Sequence, residues 1–280
     1  MKYKAYINLN NDNSNYTLAL SGIKNSSRVL DVGCASGMIG EFLFNEKKCE
    51  VVGIEYDDNF IEKARKKKVY KDLFQLDLNN ASNQFNPDYI GYFDYILLAD
   101  VIEHVYSPEQ TINSLKKLLK PDGVFIFSIP NISHGSIKLK LLNNKFEYTP
   151  MGLLDETHIR FFTIDNVISL MNKTGLEIKS LERVFEGFWK TAQIHDENEY
   201  PCAILSYVKK DLESYSYQYV VIAKLSNSKE LEIKNYQFKS ISDLQKLRLK
   251  KHLKSPKLKF GKRVEKYFKK IRNKIFNARK

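Results

Sequence analysis

The feature that most limits how this chain can fold is a short apolar run that ends in a loop of small residues. Arg28–Val32 is the apolar run, and the loop at 33–37 places a glycine or an alanine at every second position. A second apolar run, at 51–55, ends in the acid Glu55. Open α/β sheets build nucleotide pockets in this way, because backbone without bulky side chains can approach the ligand closely. The pattern predicts the strand, loop and helix that begin a parallel sheet.

Two acidic residues indicate which cofactor this pocket suits. Glu55 suits a ribose, because one carboxylate can accept hydrogen bonds from two hydroxyl groups. Asp31 lies inside the loop motif, where it would repel a pyrophosphate. The order Asp31-x-Gly33-x-Ala35-x-Gly37 also differs from the dinucleotide fingerprint G-x-G-x-x-G. An acid at this position can orient a cationic cofactor that has no phosphate, so the sequence predicts an S-adenosylmethionine pocket.

Apolar runs and helical patterns alternate along the following 200 or so residues, as they do in parallel α/β sheets. Strands are predicted at 28–32, 51–55, 73–76, 93–99, 123–129, 176–185 and 217–225. Helices are predicted at 16–23, 38–45, 59–67, 108–119, 165–174 and 201–212. The strand at 217–225 alternates well and suits the antiparallel edge of such a sheet. We expect an α/β protein with a Rossmann-like, seven-stranded, mostly parallel sheet and helices on both faces.

Two segments fall outside this alternation. Residues 131–162 are too long for an ordinary connection and predict a lid or a wall of the substrate site. Residues 229–280 predict a basic, amphipathic helical extension of a domain that spans 1–228. The three cysteines form no C-x-x-C pair, and no apolar run reaches the roughly 20 residues that cross a bilayer. We therefore expect a cytoplasmic protein.

Positive charge is concentrated at the carboxyl-terminal end. The net charge is +12, from 45 basic and 33 acidic residues, and residues 251–280 hold thirteen of the basic residues and one acid. Within 258–280 the apolar residues recur at helical spacing with basic residues between them, which is typical of a helix on an anionic membrane surface. Such a helix would hold the protein at the inner membrane face. Docking on a partner protein or on the protein's own domain is the alternative, and nucleic-acid binding is disfavoured because residues 1–250 have no net charge.

Seven short motifs, in this order, give the chain a resemblance to a known family. They lie at 29–37, 53–55, 75–77, 93–104, 118–124, 129–131 and 152–162. Together they resemble the class I S-adenosylmethionine-dependent methyltransferases. Within these, the chain is similar to the ubiquinone-biosynthesis O-methyltransferases and to bacterial members found with surface-glycan genes. One departure from the family pattern is Ala35, which stands where the middle glycine of the loop is expected.

The resemblance implies that ten residues bind S-adenosyl-L-methionine: Asp31, Gly33, Ala35, Gly37, Glu55, Tyr56, Asp77, Leu78, Ala99 and Asp100. Asp31 would face the amine of the cofactor, Glu55 its ribose hydroxyls and Asp77 its adenine amino group. Structural alternatives remain open for three of them. Glu55 can be a solvated carboxylate at a strand end, Asp77 can form a turn, and Tyr56 can be an ordinary core residue.

Methyl transfer to a hydroxyl requires a group that removes the hydroxyl proton, and near neutral pH this group is most often histidine. We predict His104 and His158 as catalytic residues. His104 follows Asp100 and Glu103 at helical spacing, which would gather the three on one face. His158 lies in the insert at 131–162. The resemblance implies a second role for Asp100, Glu103 and His104, which is a divalent-metal site. The structural alternative is that these residues form the start of a capped helix.

The function predicted from these observations is O-methylation of a hydroxyl on a glycan, a lipid-linked sugar or a quinone-type small molecule. The choice of acceptor depends on the resemblance and on the basic tail. Two alternatives belong to other classes. An RNA methyltransferase could be steered by the tail, and a non-catalytic S-adenosylmethionine-binding scaffold is suggested by Ala35.

Overall fold

The computed structural model describes residues 7, 9–80, 85–191, 196–226, 228 and 230–254. The strands are β1 (Arg28–Val32), β2 (Glu50–Glu55), β3 (Tyr70–Gln75), β4 (Phe93–Ala99), β5 (Leu119–Pro130), β6 (Leu176–Phe185) and β7 (Ser216–Leu225). The helices are α1 (Asn15–Ser21), α2 (Met38–Lys47), α3 (Asp58–Lys66), α4 (Pro108–Lys116), α5 (Gly135–Leu142), α6 (Ile164–Lys173), α7 (Cys202–Lys210), α8 (Leu231–Tyr236) and α9 (Asp243–Lys254). The stretch predicted as an amphipathic helix at 258–280 lies outside the described residues.

The seven strands form one sheet in the order β3-β2-β1-β4-β5-β7-β6. Strands β1 to β5 are parallel to one another, and β7 is antiparallel to both of its neighbours. The predicted Rossmann-like, mostly parallel α/β sheet is thus confirmed. The antiparallel strand at 217–225 is also confirmed, but its place at the sheet edge is wrong, because β6 pairs along its outer side.

Alternating side chains of the central strands enter two separate apolar cores. Leu30 of β1 and Ile96 of β4 contribute to the core on one face, whereas Val29 and Leu97 contribute to the core on the other. All four side chains are at most 1% exposed. A strand that is buried on both faces appears in the sequence as a continuous apolar run. For this reason the predicted bounds of β1 and β4 are the observed ones. The two cores fix the carboxyl ends of the parallel strands along one edge of the sheet.

The insert at 131–162 is tied to the sheet at both of its ends. A bridge pairs Asn131 with Phe162, and Ile132 N donates to Phe162 O at 3.0 Å. Helix α5, which the sequence analysis does not predict, lies inside this segment. The following helix, α6, begins at Ile164, one residue before its predicted start, and a capping box joins its N-cap Thr163 to Asn166.

Helices α8 and α9 pack against β6, so contacts with the sheet continue beyond residue 228, where we expected the domain to end. The buried Asn235 side chain accepts from Ile178 N at 2.8 Å and donates to Leu176 O at 2.9 Å. Gln245 of α9 donates to Leu181 O at 2.8 Å. Contacts of this kind, from asparagine and glutamine side chains to strand backbone, produce no hydrophobic periodicity in the sequence. The sequence pattern therefore does not predict this packing. Across the described residues, no helix is long and apolar enough to span a membrane.

Arg183 of β6 joins the sheet to α9 and to the segment before it, and replacing it with methionine is expected to destabilise the fold. Its Nε lies 2.9 Å from Glu213 Oε2, and its other nitrogens donate to Gln245 and to the carbonyl oxygens of Phe238 and Lys239. The side chain is 1% exposed. Removing one partner of a buried ion pair costs about 3–5 kcal/mol, because the other partner stays buried and uncompensated. Urea unfolding measures this loss.

Lys179→Met is the matched control for this prediction, since Lys179 is exposed on the same strand and pairs with Glu177 at the surface. Exposed pairs contribute about 0–1 kcal/mol. Equal stability losses in the two variants would contradict the role given to Arg183.

Candidate active site

A cavity of about 820 Å³ opens at the carboxyl edge of the sheet, next to β1, β2 and β4. The strand order reverses between β1 and β4, and ligands of open α/β sheets bind at such a switch point. Ten of the residues predicted for the cofactor or for catalysis line the cavity: Gly33, Ala35, Glu55, Tyr56, Asp77, Leu78, Ala99, Asp100, His104 and His158. The other two predicted residues, Asp31 and Gly37, are not among the lining residues.

The loop after β1 turns through left-handed backbone at alternate positions. Gly33 has φ +69°, Ala35 φ +46° and Gly37 φ +79°. A Cβ at Gly33 would lie 2.7 Å from a methyl group of Val101, so only glycine fits there. Ala35 adopts the left-handed conformation with a side chain, at a cost of about 1–2 kcal/mol. The turn predicted from the small residues is therefore present, with local strain at the one position that departs from glycine.

Glu55 connects the two loops that border the cavity. Its carboxylate accepts backbone hydrogen bonds from Ala35 at 2.8 Å, Tyr56 at 2.8 Å and Asp57 at 2.9 Å. Two carboxylate oxygens offer about four acceptor sites, so capacity remains for hydroxyl groups on the cavity side. Glu55 is thus both a structural anchor of the loops and a suitable ligand for a ribose.

Asp77 and Tyr56 border the cavity on the side of β3. Asp77 accepts from Asn79 N at 2.9 Å and from Asn80 Nδ2 at 3.1 Å, so the turn considered as an alternative is formed while the residue still lines the cavity. Tyr56 is 69% exposed, which excludes an ordinary core position for its ring. An exposed ring at the cavity wall is suited to stacking on an aromatic base.

The structure corrects the expectation that Asp31 faces the amine of the cofactor. Its side chain is 1% exposed and accepts a hydrogen bond from Tyr70 Oη at 2.9 Å. Strand alternation places Asp31 on the same face of β1 as Val29, under α2, and away from the cavity at the strand end. Asp31 therefore supports the loop from below, and the sequence motif alone could not distinguish this position from direct contact.

The Asp31→Asn variant is expected to lose a pH dependence of the free energy of unfolding that the wild type has. Burial raises the pKa of Asp31 to about 7, and the hydrogen bond from Tyr70 offsets only part of this effect. Between about pH 4 and pH 7 the folded state then binds more protons than the unfolded state, so the free energy of unfolding falls as the pH rises. The slope is on the order of 1.4 kcal/mol per pH unit. Urea unfolding of the wild type and Asp31→Asn across this range measures the difference, and parallel curves would contradict it.

Asp100 occupies a strained position directly after β4. Its φ is +57°, and its carboxylate accepts hydrogen bonds from Ser128 Oγ at 3.1 Å, from Asn15 Nδ2 at 3.4 Å and from Gln218. Burial raises the pKa of this carboxyl to about 6. These three donors are neutral, and they hold the carboxylate at the cavity wall.

The predicted helical face of Asp100, Glu103 and His104 is not formed. The backbone leaves Asp100 in the left-handed conformation and then makes only a single 3₁₀ turn, Ile102–His104. Residues on such a turn do not share the spacing of an α-helix. The cluster that does form joins Glu103 and His104 to His158, whose possible ligand atoms all lie within 4.8 Å of one another.

The insert brings His158 to this cluster through its backbone. The N–H groups of Ile159 and Arg160 both donate to Glu103 O at 3.0 Å. The rings of His104 and His158 meet edge to face, with centroids 4.8 Å apart. His158 Nε2 lies 3.9 Å from Glu103 Oε1. Two histidines that are 54 positions apart in the chain thus form one wall of the cavity.

Hydrogen bonds determine which ring nitrogens can accept a proton. His104 Nδ1 lies 3.1 Å from Thr157 O, and His158 Nδ1 lies 3.4 Å from Leu153 O. A carbonyl oxygen only accepts, so each Nδ1 carries the hydrogen and each neutral ring keeps a lone pair on Nε2. Burial, together with the nearby His104, lowers the pKa of His158, which keeps that ring neutral. Both imidazoles therefore offer a basic nitrogen.

Glu103 is the buried acid of the cluster. It is 1% exposed, and neither carboxylate oxygen has a hydrogen-bond partner among the described residues. Burial raises the pKa of Glu103 well above its ordinary value, and the charge of Asp100 adds to the effect. Two imidazole nitrogens and a carboxylate are also donors that divalent transition metals accept. The cluster can therefore act through proton transfer or through a bound cation.

Two of the other histidines have structural environments, and the last lies outside the described residues. His134 is fully buried and bonds to Ser136 and to the backbone oxygen of Glu186. His252 lies 3.3 Å from the Glu186 carboxylate and 3.1 Å from Asn13. Neither ring lines the cavity. His195 is in the part of the chain that the structure does not describe.

Tyr217 and Gln218 of β7 are site residues that the sequence analysis missed. Both line the cavity, and Gln218 holds the Asp100 carboxylate from a position 118 residues away. They reach the cavity because β7 pairs antiparallel with β5 and so begins at the edge where β5 ends. The alternating pattern of β7 predicts its strand but carries no sign of which end faces the site.

Comparisons with known proteins agree with this geometry. A family model described as a methyltransferase domain matches residues 7–181. The ubiquinone biosynthesis O-methyltransferase of Shewanella halifaxensis is 25% identical over 177 residues, which cover 62% of this chain and 74% of that protein. The mitochondrial ubiquinone biosynthesis O-methyltransferase of Bos taurus is 27% identical over 180 residues, which cover 61% of this chain and 46% of that protein.

Solved structures show the same fold at lower identity. A SAM-dependent methyltransferase of Thermotoga maritima superposes with a TM-score of 0.50 at 19% identity, covering 74% of this chain and 86% of that one. A SAM-dependent methyltransferase of Archaeoglobus fulgidus gives a TM-score of 0.50 at 18% identity, covering 75% and 89%. The family match spans more than half of the chain and includes the loop at 33–37 and the 3₁₀ turn Ile102–His104. The chain therefore belongs to the methyltransferase-domain family and is a class I S-adenosylmethionine-dependent methyltransferase.

Proposed function

We propose that this enzyme methylates a hydroxyl group, and that this hydroxyl belongs to a glycan, a lipid-linked sugar or a quinone-type small molecule. The observation that carries the proposal is the pair of imidazoles at the cavity wall, His104 and His158, whose Nδ1 atoms face carbonyl oxygens and so leave Nε2 to accept a proton. A hydroxyl must lose its proton as it is methylated, and a neutral imidazole is the usual acceptor near neutral pH. The two relatives described above are O-methyltransferases by name, which supports the same reaction.

The chain's own residues have three tasks in this reaction. S-adenosylmethionine supplies a methyl group that is already activated on sulfur. Glu55 and the loop at 33–37 bind and orient that cofactor, and Tyr56 covers the side of its adenine. The acceptor hydroxyl lies against the insert, where His158 Nε2 accepts its proton and the charge of Asp155 favours the resulting imidazolium. Holding the reactants in line supplies much of the rate enhancement in reactions of this kind.

The charge of the cavity supports an acceptor that is uncharged near the reacting oxygen. Six carboxyl groups line the cavity: Glu55, Asp57, Asp77, Asp100, Glu103 and Asp155. None of the described lining residues is a lysine or an arginine. An anionic group close to the methylated oxygen would therefore be repelled, whereas a sugar hydroxyl or a phenol would not.

A divalent cation is the second way in which the same cluster could activate a hydroxyl. A transition metal would suit this cluster by donor type and proximity. The cluster offers the Glu103 carboxylate, whose oxygens have no hydrogen-bond partner among the described residues, and the imidazoles of His104 and His158. A bound cation lowers the pKa of a coordinated hydroxyl and so supplies activation without a protein base. Transfer that survives dialysis against EDTA would favour the imidazole base, and transfer lost with EDTA and restored by the metal would favour the cation.

Radiolabelled methyl transfer tests the proposed function. The purified chain is incubated with methyl-labelled S-adenosylmethionine and with catechol, 3,4-dihydroxybenzoate, neutral glycans, lipid-linked sugars and RNA in separate reactions. We expect label in a base-stable methyl ether, with catechol preferred to its carboxylated analogue by at least about tenfold. Label in RNA would support the RNA methyltransferase instead. Cofactor binding without transfer to any of these acceptors would support the non-catalytic scaffold.

A further inference from the structure

Helix α9 has two unlike faces, and the inner one is fixed to the sheet. Gln245 bonds to Leu181 O, Arg248 bonds to Arg183 O at 2.6 Å, and Leu249 is 3% exposed. These residues attach α9 along the outer strand, β6. The inner face is therefore fully used, and the opposite face of the helix is largely exposed.

The outer face of α9 combines exposed leucines with basic residues. Leu244 is 80% exposed and Leu247 is 62% exposed, one helical turn apart. Lys250 and Lys251 are exposed beside them, and Lys251 pairs with Asp12 only at the surface, where such pairs contribute little. The outer face thus has the composition of a surface that binds a partner with both an apolar layer and negatively charged groups.

The charge of the chain beyond α9 continues this composition. Residues 243–280 contain sixteen lysines and arginines and two acids, Asp243 and Glu265. Twenty-six of these residues, 255–280, follow the described part of α9. Clustered basic residues are attracted to anionic lipid surfaces, by about 1 kcal/mol for each residue near the surface. This positive charge favours a partner that carries negative charge.

The direction of α9 relates this surface to the active site. Its first turn bonds to β6 at Leu181, and its last turn reaches Glu186, where His252 Nε2 lies 3.3 Å from the carboxylate. Two antiparallel pairings in succession, of β7 with β5 and with β6, make β6 parallel to β5 and hence to β1 and β4. The helix therefore ends at the same edge of the sheet as the cavity.

We propose that the outer face of α9 binds an anionic lipid bilayer. The leucines enter the interface of the bilayer while the lysines contact anionic headgroups, which is the arrangement of amphipathic helices on membrane surfaces. The cavity edge then lies next to the bilayer. This places the acceptor site where an amphiphilic acceptor is presented from a membrane.

Vesicle sedimentation with the full chain tests the proposal. The vesicles contain phosphatidylcholine and phosphatidylglycerol in roughly a three-to-one ratio, or phosphatidylcholine alone. We expect binding to the anionic vesicles that weakens as salt is added, and little binding to phosphatidylcholine. Leu244→Glu with Leu247→Glu should lower the partition coefficient at least about tenfold. A second variant, Lys250→Glu with Lys251→Glu, should lower it as well, by about tenfold or more, since it reverses two charges.

Ile90→Glu is the matched control, because Ile90 is 63% exposed on a loop just before β4, at the opposite edge of the sheet. It should bind as the wild type does. Failure of the wild type to bind anionic vesicles would overturn the proposal, as would wild-type binding by both α9 variants. Binding to an RNA oligonucleotide without binding to vesicles would overturn it in favour of a nucleic-acid partner.

Discussion

Replacing His158 with alanine is expected to lower the rate of methyl transfer by about 10²–10⁴-fold, while the affinity for S-adenosylmethionine changes by no more than about twofold. His158 lines the acceptor side of the cavity, and its Nε2 is the unprotonated nitrogen nearest to Glu103, at 3.9 Å. The cofactor contacts expected from Glu55 and the loop at 33–37 do not involve the insert. Single-turnover kinetics with an accepted substrate measures the rate, and calorimetry measures the affinity.

Two variants separate loss of the base from loss of structure. His158→Gln keeps a hydrogen-bonding side chain at the same position but cannot accept a proton near neutral pH, so it should be as slow as alanine. His252→Ala removes a histidine that bonds to Glu186 but does not line the cavity, so it should transfer methyl groups at the wild-type rate. A His158→Gln enzyme with near wild-type activity would contradict the proposed base and leave a packing role for the residue.

Local sequence predicts the seven strands and the pocket loop, although β3 begins three residues and β5 four residues before their predicted starts. Strands β1 and β4 are buried on both faces and have uninterrupted apolar runs, so their bounds follow directly from the sequence. Glu55 and Asp77 follow apolar runs, and carboxyl ends of neighbouring parallel strands meet at one edge of a sheet. Their presence at the cavity therefore follows from topology that the βαβ pattern already implies.

The remaining parts of the site depend on contacts between distant residues, and these have no local signal. Asp31 fits the motif equally well whether it faces the cavity or the buried side, and only the packing of Tyr70 decides. Helical spacing predicts a shared face for Asp100, Glu103 and His104, but the left-handed backbone at Asp100 interrupts it. The partner of Glu103 and His104 is His158, which reaches them because the insert bonds to the backbone of Glu103.

Replacing Glu55 with alanine is expected to weaken S-adenosylmethionine binding by at least about 100-fold. Two effects act together in this variant. The variant lacks the carboxylate that suits both ribose hydroxyls, and charge-assisted hydrogen bonds of this kind contribute about 1.5–3 kcal/mol each. It also leaves the N–H groups of Ala35, Tyr56 and Asp57 without their acceptor, so the two loops lose the connection that holds them at the cavity. Isothermal titration with S-adenosylmethionine and S-adenosylhomocysteine measures the loss.

A graded series distinguishes these two effects. Glu55→Gln keeps one oxygen that can accept from the loop backbone but loses the charge, so its affinity should lie between those of the wild type and Glu55→Ala. Glu50→Gln alters an acid at the other end of β2, where it faces Lys71 and Tyr92, and should bind the cofactor normally. Wild-type affinity in Glu55→Ala would mean that the cofactor does not use this strand end. Gly33 and Ala35 line the same cavity as Glu55. The assignment of the cofactor to this cavity would then have to be abandoned.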